Sequence, residues 1–444
     1  MAAEIKRRDF MKMGMAGAGL TIGATSSKVL GYSVPQAQLE TVRVGFVGVG
    51  MQGSSHVRNL LRVPGVQLKA ICDIREERAM RIVKRMEEEG QPKPALYTRG
   101  DDDFRRMCDE EDLDLVYTAT PWRWHAPVLM AAMKAGKNAA TEVPIGATIE
   151  ECWELVETAE KTGLHCVMME NCCYDRVELM TLNMVRKGLL GDLLHAKCGY
   201  LHDLRALKLD PKGYQGMWRI KHSIERDGDL YPTHGIGPVA QCMNINRGNQ
   251  FDHLVSMSTN PGGVKAYASE HYGADNKYAQ AAYALGDVVT TMVRTKGGQT
   301  IVITHDTNTP RAYSRDFLVQ GTKGVLQKYP EPKIFVEGRG QGRGHRWENL
   351  SGYEEEYEHP LWKAMQEKSK GAGHGGMDYI EDYRLIECLR TGQPTDADVY
   401  DGASWSAITG LSEQSIAGGS KPIDCPDFTR GQWKSRPPLG IIEG

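Results

Sequence analysis

The stretch Arg43–Gly53, RVGFVGVGMQG, constrains the chain more than any other. Val42–Val47 is a short apolar run that ends on Gly48-x-Gly50-x-x-Gly53. Ser54–Leu61 then has a helical pattern, and Val66–Ile71 is a second apolar run closing on Asp73. Strand, glycine turn, helix and strand in this order make a βαβ unit of the dinucleotide-binding kind. The glycines permit a tight turn and let the backbone come close to a pyrophosphate, whose charge is favoured at a helix N-terminus. Asp73, twenty residues beyond Gly53, is placed to accept from the adenine ribose hydroxyls. A carboxylate there repels a 2′-phosphate, so NAD is expected rather than NADP.

The alternation continues with strand Leu113–Thr120, helix Pro127–Ala135, strand Asn138–Glu142, helix Ile149–Thr162 and strand Cys166–Glu170. Thr148 and Glu151 form a capping box ahead of the last helix. A parallel sheet of about six strands follows from this pattern. The texture then changes. After a helix at Asp175–Lys187, strand-like runs at Leu194–Tyr200, Asp252–Ser258, Asp287–Thr295 and Thr300–Asp306 suggest a second, largely antiparallel domain. Met377–Leu389 and Ala403–Ile416 read as helices that pack back, and Val336–Gly344 as a mobile loop. The expected fold class is α/β. Residues 1–38 are expected to be a leader and linker, 39–170 a Rossmann dinucleotide-binding domain, and 171–444 an α+β substrate domain with an open sheet.

With 444 residues, 41% of them hydrophobic, the chain has material for two cores. A net charge of -3 offers no broad basic field, which argues against nucleic acid as a partner and for a small or neutral ligand. Ten cysteines without metal-ligand spacing support neither a zinc site nor a disulfide framework, and no metal is expected. Arg7-Arg8-Asp9-Phe10-Met11-Lys12, followed by a modest Gly- and Ala-rich apolar run, resembles a twin-arginine export signal. The expected location is therefore the periplasm or beyond, with the export machinery as a partner.

The layout resembles the Gfo/Idh/MocA group, whose dehydrogenases carry Glu-Lys-Pro where this chain has Glu142-Val143-Pro144, and a later Asp-x-x-x-His. Here the lysine is missing, and leucine holds the aspartate position in Leu230-Tyr231-Pro232-Thr233-His234. A narrower resemblance rests on several long motifs. They are Pro121-Trp122-Arg123-Trp124-His125, Met169-Glu170-Asn171-x-Cys173-Tyr174, Leu182–Gly188, Leu230–Gly235 and Gly373-His374-Gly375-Gly376-Met377-Asp378-Tyr379. They are similar to those of the NAD-dependent glycosidases of glycoside hydrolase family 109, over nearly the whole chain after residue 40. The segment between His202 and Trp218 is short here.

The resemblance implies an α-N-acetylgalactosaminidase that uses NAD without consuming it, an exception to the two-carboxylate scheme of most glycosidases. Oxidation at the sugar's C3 acidifies the C2 hydrogen, whose loss expels the C1 substituent. Water then adds at C1 and C3 is reduced again. A cofactor never consumed needs no recharging outside the cell. In this scheme His234 manages the C3 hydroxyl proton. Tyr231 either holds the same hydroxyl or takes the C2 proton, with Tyr174 and Glu142 as other bases. The implied cofactor contacts are Gly48, Gly50, Met51, Gln52, Gly53, Asp73, Trp122, Arg123, Trp124, His125, Glu142, Val143 and Asn171. The implied substrate contacts are Tyr200, Arg219, Tyr231, Pro232, Thr233, His234 and Tyr313. Two other readings stay open, a periplasmic NAD-dependent sugar dehydrogenase and a non-catalytic sugar-binding protein with a vestigial nucleotide site. Assembly into a homo-oligomer is also left open.

Overall fold

A computed structural model describes residues 38–340 and 344–443. The leader expected at 1–38 falls outside the described residues except for Gln38, and so does part of the loop expected at Val336–Gly344. The first sheet is built from β1 (Val42–Val47), helix α1 (Met51–Leu60), β2 (Val66–Cys72), α2 (Glu76–Glu88), β3 (Ala95–Tyr97), α3 (Asp103–Glu110), β4 (Leu115–Thr118), α4 (His125–Lys134), β5 (Asn138–Glu142), α5 (Ile149–Thr162) and β6 (Cys166–Met169). Its order, 3-2-1-4-5-6, is all parallel and reverses between β1 and β4. Ligands of such sheets bind outside the strands' carboxyl ends at that reversal. The strands are buried on both faces, as continuous apolar runs require. Thr148 caps α5 with its hydroxyl, and Glu151 returns the bond, so the capping box forms as the sequence implies.

The chain continues through α6 (Arg176–Arg186), β7 (Leu193–Leu201), α7 (Arg205–Leu209), α8 (Trp218–Glu225) and α9 (Thr233–Cys242). Strands β8 (Phe251–Ser258), β9 (Val289–Thr295), β10 (Thr300–Asp306), β11 (Leu318–Gly321), β12 (Gly324–Gln327), β13 (Lys333–Val336) and β14 (Glu348–Asn349) follow, then helices α10 (Met377–Thr391) and α11 (Val399–Ala417) and strand β15 (Ile423–Asp424). These strands form a nine-stranded sheet that is antiparallel except where β7 runs parallel to β10. Strand β9 alternates buried and exposed residues along its whole length, the signature of a sheet with one covered face.

Helix α10 packs against α1, and α11 packs against α5, β6 and β8, so the tail ties both sheets together. Fourteen of the nineteen α11 residues are buried, Trp405 among them. Its buried polar groups are bonded, Asp401 to Arg247 and Ser412 to the Asp229 amide among them. All ten cysteines are free thiols, nine of them buried. No helix among the described residues is long and apolar enough to cross a membrane.

Candidate active site

The glycine turn is shaped by direct contacts. Gly48 has φ +84°, a conformation that favours glycine, and its amide donates to the Cys72 carbonyl at 2.7 Å. A Cβ on Gly53 would lie 1.9 Å from the Gly48 carbonyl oxygen, so only glycine lets α1 start this close to the turn. No acidic residue occupies the first turn of α1 and no side chain caps it. Its free amides are therefore available to an anion. Asp73 lies at the end of β2, its two oxygens accepting from the Val49 and Arg75 amides at 2.8 Å each. Each oxygen keeps a lone pair for a ribose hydroxyl. The glycine cradle, the open helix terminus and the fixed carboxylate together fit a dinucleotide without a 2′-phosphate.

Farther along the same sheet edge, Glu142 ends β5. Its Oε2 accepts from the Val143 amide at 3.1 Å and its Oε1 lies 2.8 Å from His56 Nε2. Asn171 donates to Asp378 at 2.7 Å, and Gln52 donates to the same carboxylate at 3.3 Å. Burial favours the neutral form of Asp378, but His374, His56 and Asn171 outweigh it and hold the pKa down at about 2. Asp378 is thus an anion that fastens two cofactor candidates from α10. Met51 stands exposed at the start of α1.

The Trp122–His125 segment divides. Trp122 is buried and stacks on Tyr231 with centroids 5.5 Å apart. Arg123 is exposed, and Trp124 turns toward Phe104. Both ring nitrogens of His125 lie against backbone carbonyls, of Pro144 at 2.7 Å and Thr120 at 2.8 Å. That imidazole braces the loops after β4 and β5, and it has no free nitrogen for a ligand.

Tyr231 and His234 are brought together by the start of α9, with ring centroids 4.8 Å apart and edge to face. Tyr200, on β7, lies 4.7 Å from Tyr231 and 5.4 Å from His234. His234 Nδ1 is 2.7 Å from Glu170 Oε1, and Glu170 is almost fully buried. A carboxylate there accepts a hydrogen bond from Nδ1–H, which leaves Nε2 as the acceptor of the neutral ring; Nε2 has no hydrogen-bond partner among the described residues. Burial pushes the Tyr231 phenol well above 10, only partly opposed by the Arg219 charge. The protonated phenol can donate a hydrogen bond, as holding the sugar hydroxyl requires. Tyr174 gives its hydroxyl to Asp396 at 3.1 Å, on the far side of Glu170, which removes it as a base.

Arg219 is not a surface residue. Its guanidinium lies 4.7 to 5.1 Å from the ring centres of Tyr214, Tyr231, Trp122 and Trp218. Its buried Nε has no hydrogen-bond partner. Such a cage holds the cation by its ring faces, with a hydrogen bond to Tyr231, and leaves Nε for a ligand. Pro232 and Thr233 are buried at the start of α9, and Tyr313 stands half-exposed at the rim, edge-on to His202 at 5.0 Å. Sequence reasoning missed Glu170 as the partner of His234, and missed Trp218, Tyr214, His202 and His56. The aromatic residues sit in short helices and loops without periodicity, and nothing local marks Glu170 as facing a histidine 64 positions away.

Glu170, Cys172 and His234 place three ligand-type atoms within 4.8 Å of one another. Glu170 Oε1 meets His234 Nδ1, Glu170 Oε2 is buried without a partner, and the Cys172 thiol donates to Asn171 Oδ1 at 3.3 Å. Of the three, Glu170 is the group that orients the imidazole.

Comparison with known proteins agrees with this geometry. Residues 42–170 match the oxidoreductase family with an NAD-binding Rossmann fold, and residues 174–435 match the C-terminal domain of glycosyl hydrolase 109. The alpha-N-acetylgalactosaminidase of Shewanella oneidensis is 44% identical over 99% of both chains. The chain belongs to glycoside hydrolase family 109. A family 109 protein of Shewanella sp. strain MR-4 is also 44% identical over 99% of each chain. Among solved structures, an NAD-binding oxidoreductase from Klebsiella pneumoniae superimposes with a TM-score of 0.67 at 14% identity, covering 87% of this chain and all of that one. A levoglucosan dehydrogenase in complex with NADH and levoglucosan gives 0.65 at 20% identity with the same coverage. These two share the fold. The family 109 chain thus joins an NAD-binding Rossmann domain to the family's own C-terminal domain.

Proposed function

We propose that this family 109 protein is an α-N-acetylgalactosaminidase that releases a terminal sugar and regains its starting redox state in each turnover. The observation that carries the reading is the pairing of His234, held by buried Glu170 with Nε2 free, with the Tyr231 phenol beside the Arg219 cage. Full-length identity to the Shewanella oneidensis enzyme supports the choice of sugar. When bound, NAD supplies a reversible oxidant for one sugar carbon. The amides of the glycine turn and Asp73 would hold its pyrophosphate and adenosine half, and Glu142 and Asn171 would line its nicotinamide half.

The chain's own groups do the rest. His234 Nε2 accepts the proton of a sugar hydroxyl, Glu170 stabilises the resulting imidazolium through Nδ1, and the same nitrogen later returns the proton. Tyr231 donates to that hydroxyl oxygen and fixes its direction. Arg219 and Tyr200 fit the ring's apolar face and its amide acceptor. Glu170 Oε1 is bonded to His234, and Glu142 to His56 and its own chain, so the reading gives both carboxylates supporting roles.

The test is release of chromophore from an aryl α-N-acetylgalactosaminide by protein purified without added cofactor. Product formed in D2O should carry deuterium at C2 and its original hydrogen at C3. Net NADH accumulation with free sugar would instead identify a sugar dehydrogenase, and unlabelled product with no isotope effect from deuterium at C2 or C3 would leave the oxidation–elimination route without support.

We also propose export with the cofactor already loaded. The support is the Arg7-Arg8-Asp9-Phe10-Met11-Lys12 motif and its apolar run. Replacing Arg7 and Arg8 together by Lys should leave the protein in the cytoplasm, as read by fractionation. Unchanged secretion would refute that route.

A further inference from the structure

Behind Glu142 lies a buried chain of groups that the proposed reaction leaves unused. His56, on α1, has no exposed surface. Its Nε2 is 2.8 Å from Glu142 Oε1, and its Nδ1 is 3.0 Å from both oxygens of Asp382 on α10. Asn59 donates to Asp382 Oδ2 at 3.0 Å, and the Tyr117 hydroxyl of β4 lies 3.1 Å from His56 Nδ1. Gln52, His56 and Asn59 recur at the spacing that puts them on one face of α1, and Asp378 and Asp382 do the same on α10. The two helices therefore meet along a polar seam inside an otherwise apolar contact.

We propose that His56 is a positioning residue for the reaction: clamped between Asp382 and Glu142, it donates from both ring nitrogens and holds the Glu142 carboxylate in one orientation at the nicotinamide end of the cleft.

A neutral imidazole has one donor and one acceptor, whereas ionised carboxylates at both nitrogens call for two donors. Burial alone would pull the His56 pKa down, but Asp382 and Glu142 outweigh it and hold it well above 6.5. Burial likewise favours neutral Glu142, and His56 reverses that, leaving it ionised. Burial pushes Asp382 up, and His56 and Asn59 oppose that. Asp378 is an anion paired with His374, and Tyr117 is a phenol pushed well up by burial. Glu381 has two buried oxygens without partners and is pushed well up by burial. Glu142 is near enough to act electrostatically on Tyr231 and to feel His234. A carboxylate free to turn or to protonate would alter the field at both. This assignment also gives the Gly373–Tyr379 motif a purpose, since it starts the helix that delivers Asp378 and Asp382.

The inference rests on the cofactor site placed above, and its test separates the two. In the intact NAD-loaded protein, nitrogen NMR should show both His56 ring nitrogens protonated across neutral pH. A single protonated nitrogen there overturns the proposal, whatever the enzyme's substrate proves to be. His56→Gln should retain near-stoichiometric NAD and an almost unchanged KM while lowering kcat about tenfold, the scale for outer groups that orient a reacting one. Asp382→Asn, which keeps an acceptor for Nδ1, should fall between. Because His56 acts through Glu142, the His56→Gln/Glu142→Gln double variant should be no slower than Glu142→Gln alone. Multiplying effects in that cycle, with NAD still bound, would mean that His56 only supports the fold. Absence of glycosidase activity in the wild type would count against the proposed function and leave the NMR result standing.

Discussion

Replacing His234 by Ala is expected to lower kcat by about 10²–10⁴-fold, the usual value of a positioned acid or base, while bound NAD stays in place. The side chain is partly exposed to the cleft, and its one hydrogen bond, to Glu170, orients it. Removing the ring therefore takes away the proton acceptor without disturbing the glycine turn or Asp73. Glu170→Gln should give a smaller loss, because a neutral amide still accepts from Nδ1 but no longer stabilises the imidazolium. Stopped turnover assays with a count of bound cofactor check both. Near-native activity in His234→Ala would remove this residue from the chemistry.

Gly53→Ala is expected to abolish cofactor retention. The new methyl would sit 1.9 Å from the Gly48 carbonyl oxygen, which belongs to backbone and cannot swing aside like a flexible side chain. Either α1 moves off the turn or the turn loses its shape, and the amides that face the pyrophosphate move with it. A strain of about 3 kcal/mol, borne by the bound state, weakens binding by about 10²-fold. Gly352→Ala is the internal control, since its Cβ would meet nothing within 4 Å and it lies outside the dinucleotide turn. Nucleotide released on denaturation should be near one per chain in the wild type and Gly352→Ala, and near none in Gly53→Ala. Full occupancy in Gly53→Ala would show that the turn is softer than its contacts imply.

What the sequence determined by itself was short-range. The run β1, turn, α1, β2 and Asp73 was legible because glycine spacing and apolar runs act over a few residues, and the Thr148–Glu151 capping box was legible for the same reason. Tyr231 and His234 were found together because one short motif carries both. Strands β11 to β13 and helices α7 and α8 went unread, being too short to show a period.

Tertiary structure alone decided the chemistry of these groups. It set Glu170 against His234, caged Arg219 among rings from four places in the chain, and carried Asp378 across 326 positions to Gln52. It also decided which way each buried acid is pushed: Asp378 is held down by its partners, while Glu381, three residues on and with both oxygens unpartnered, is pushed up by burial. A sequence pattern records which face of an element is buried. It does not record what that face meets, and for a buried polar group the partner fixes the charge.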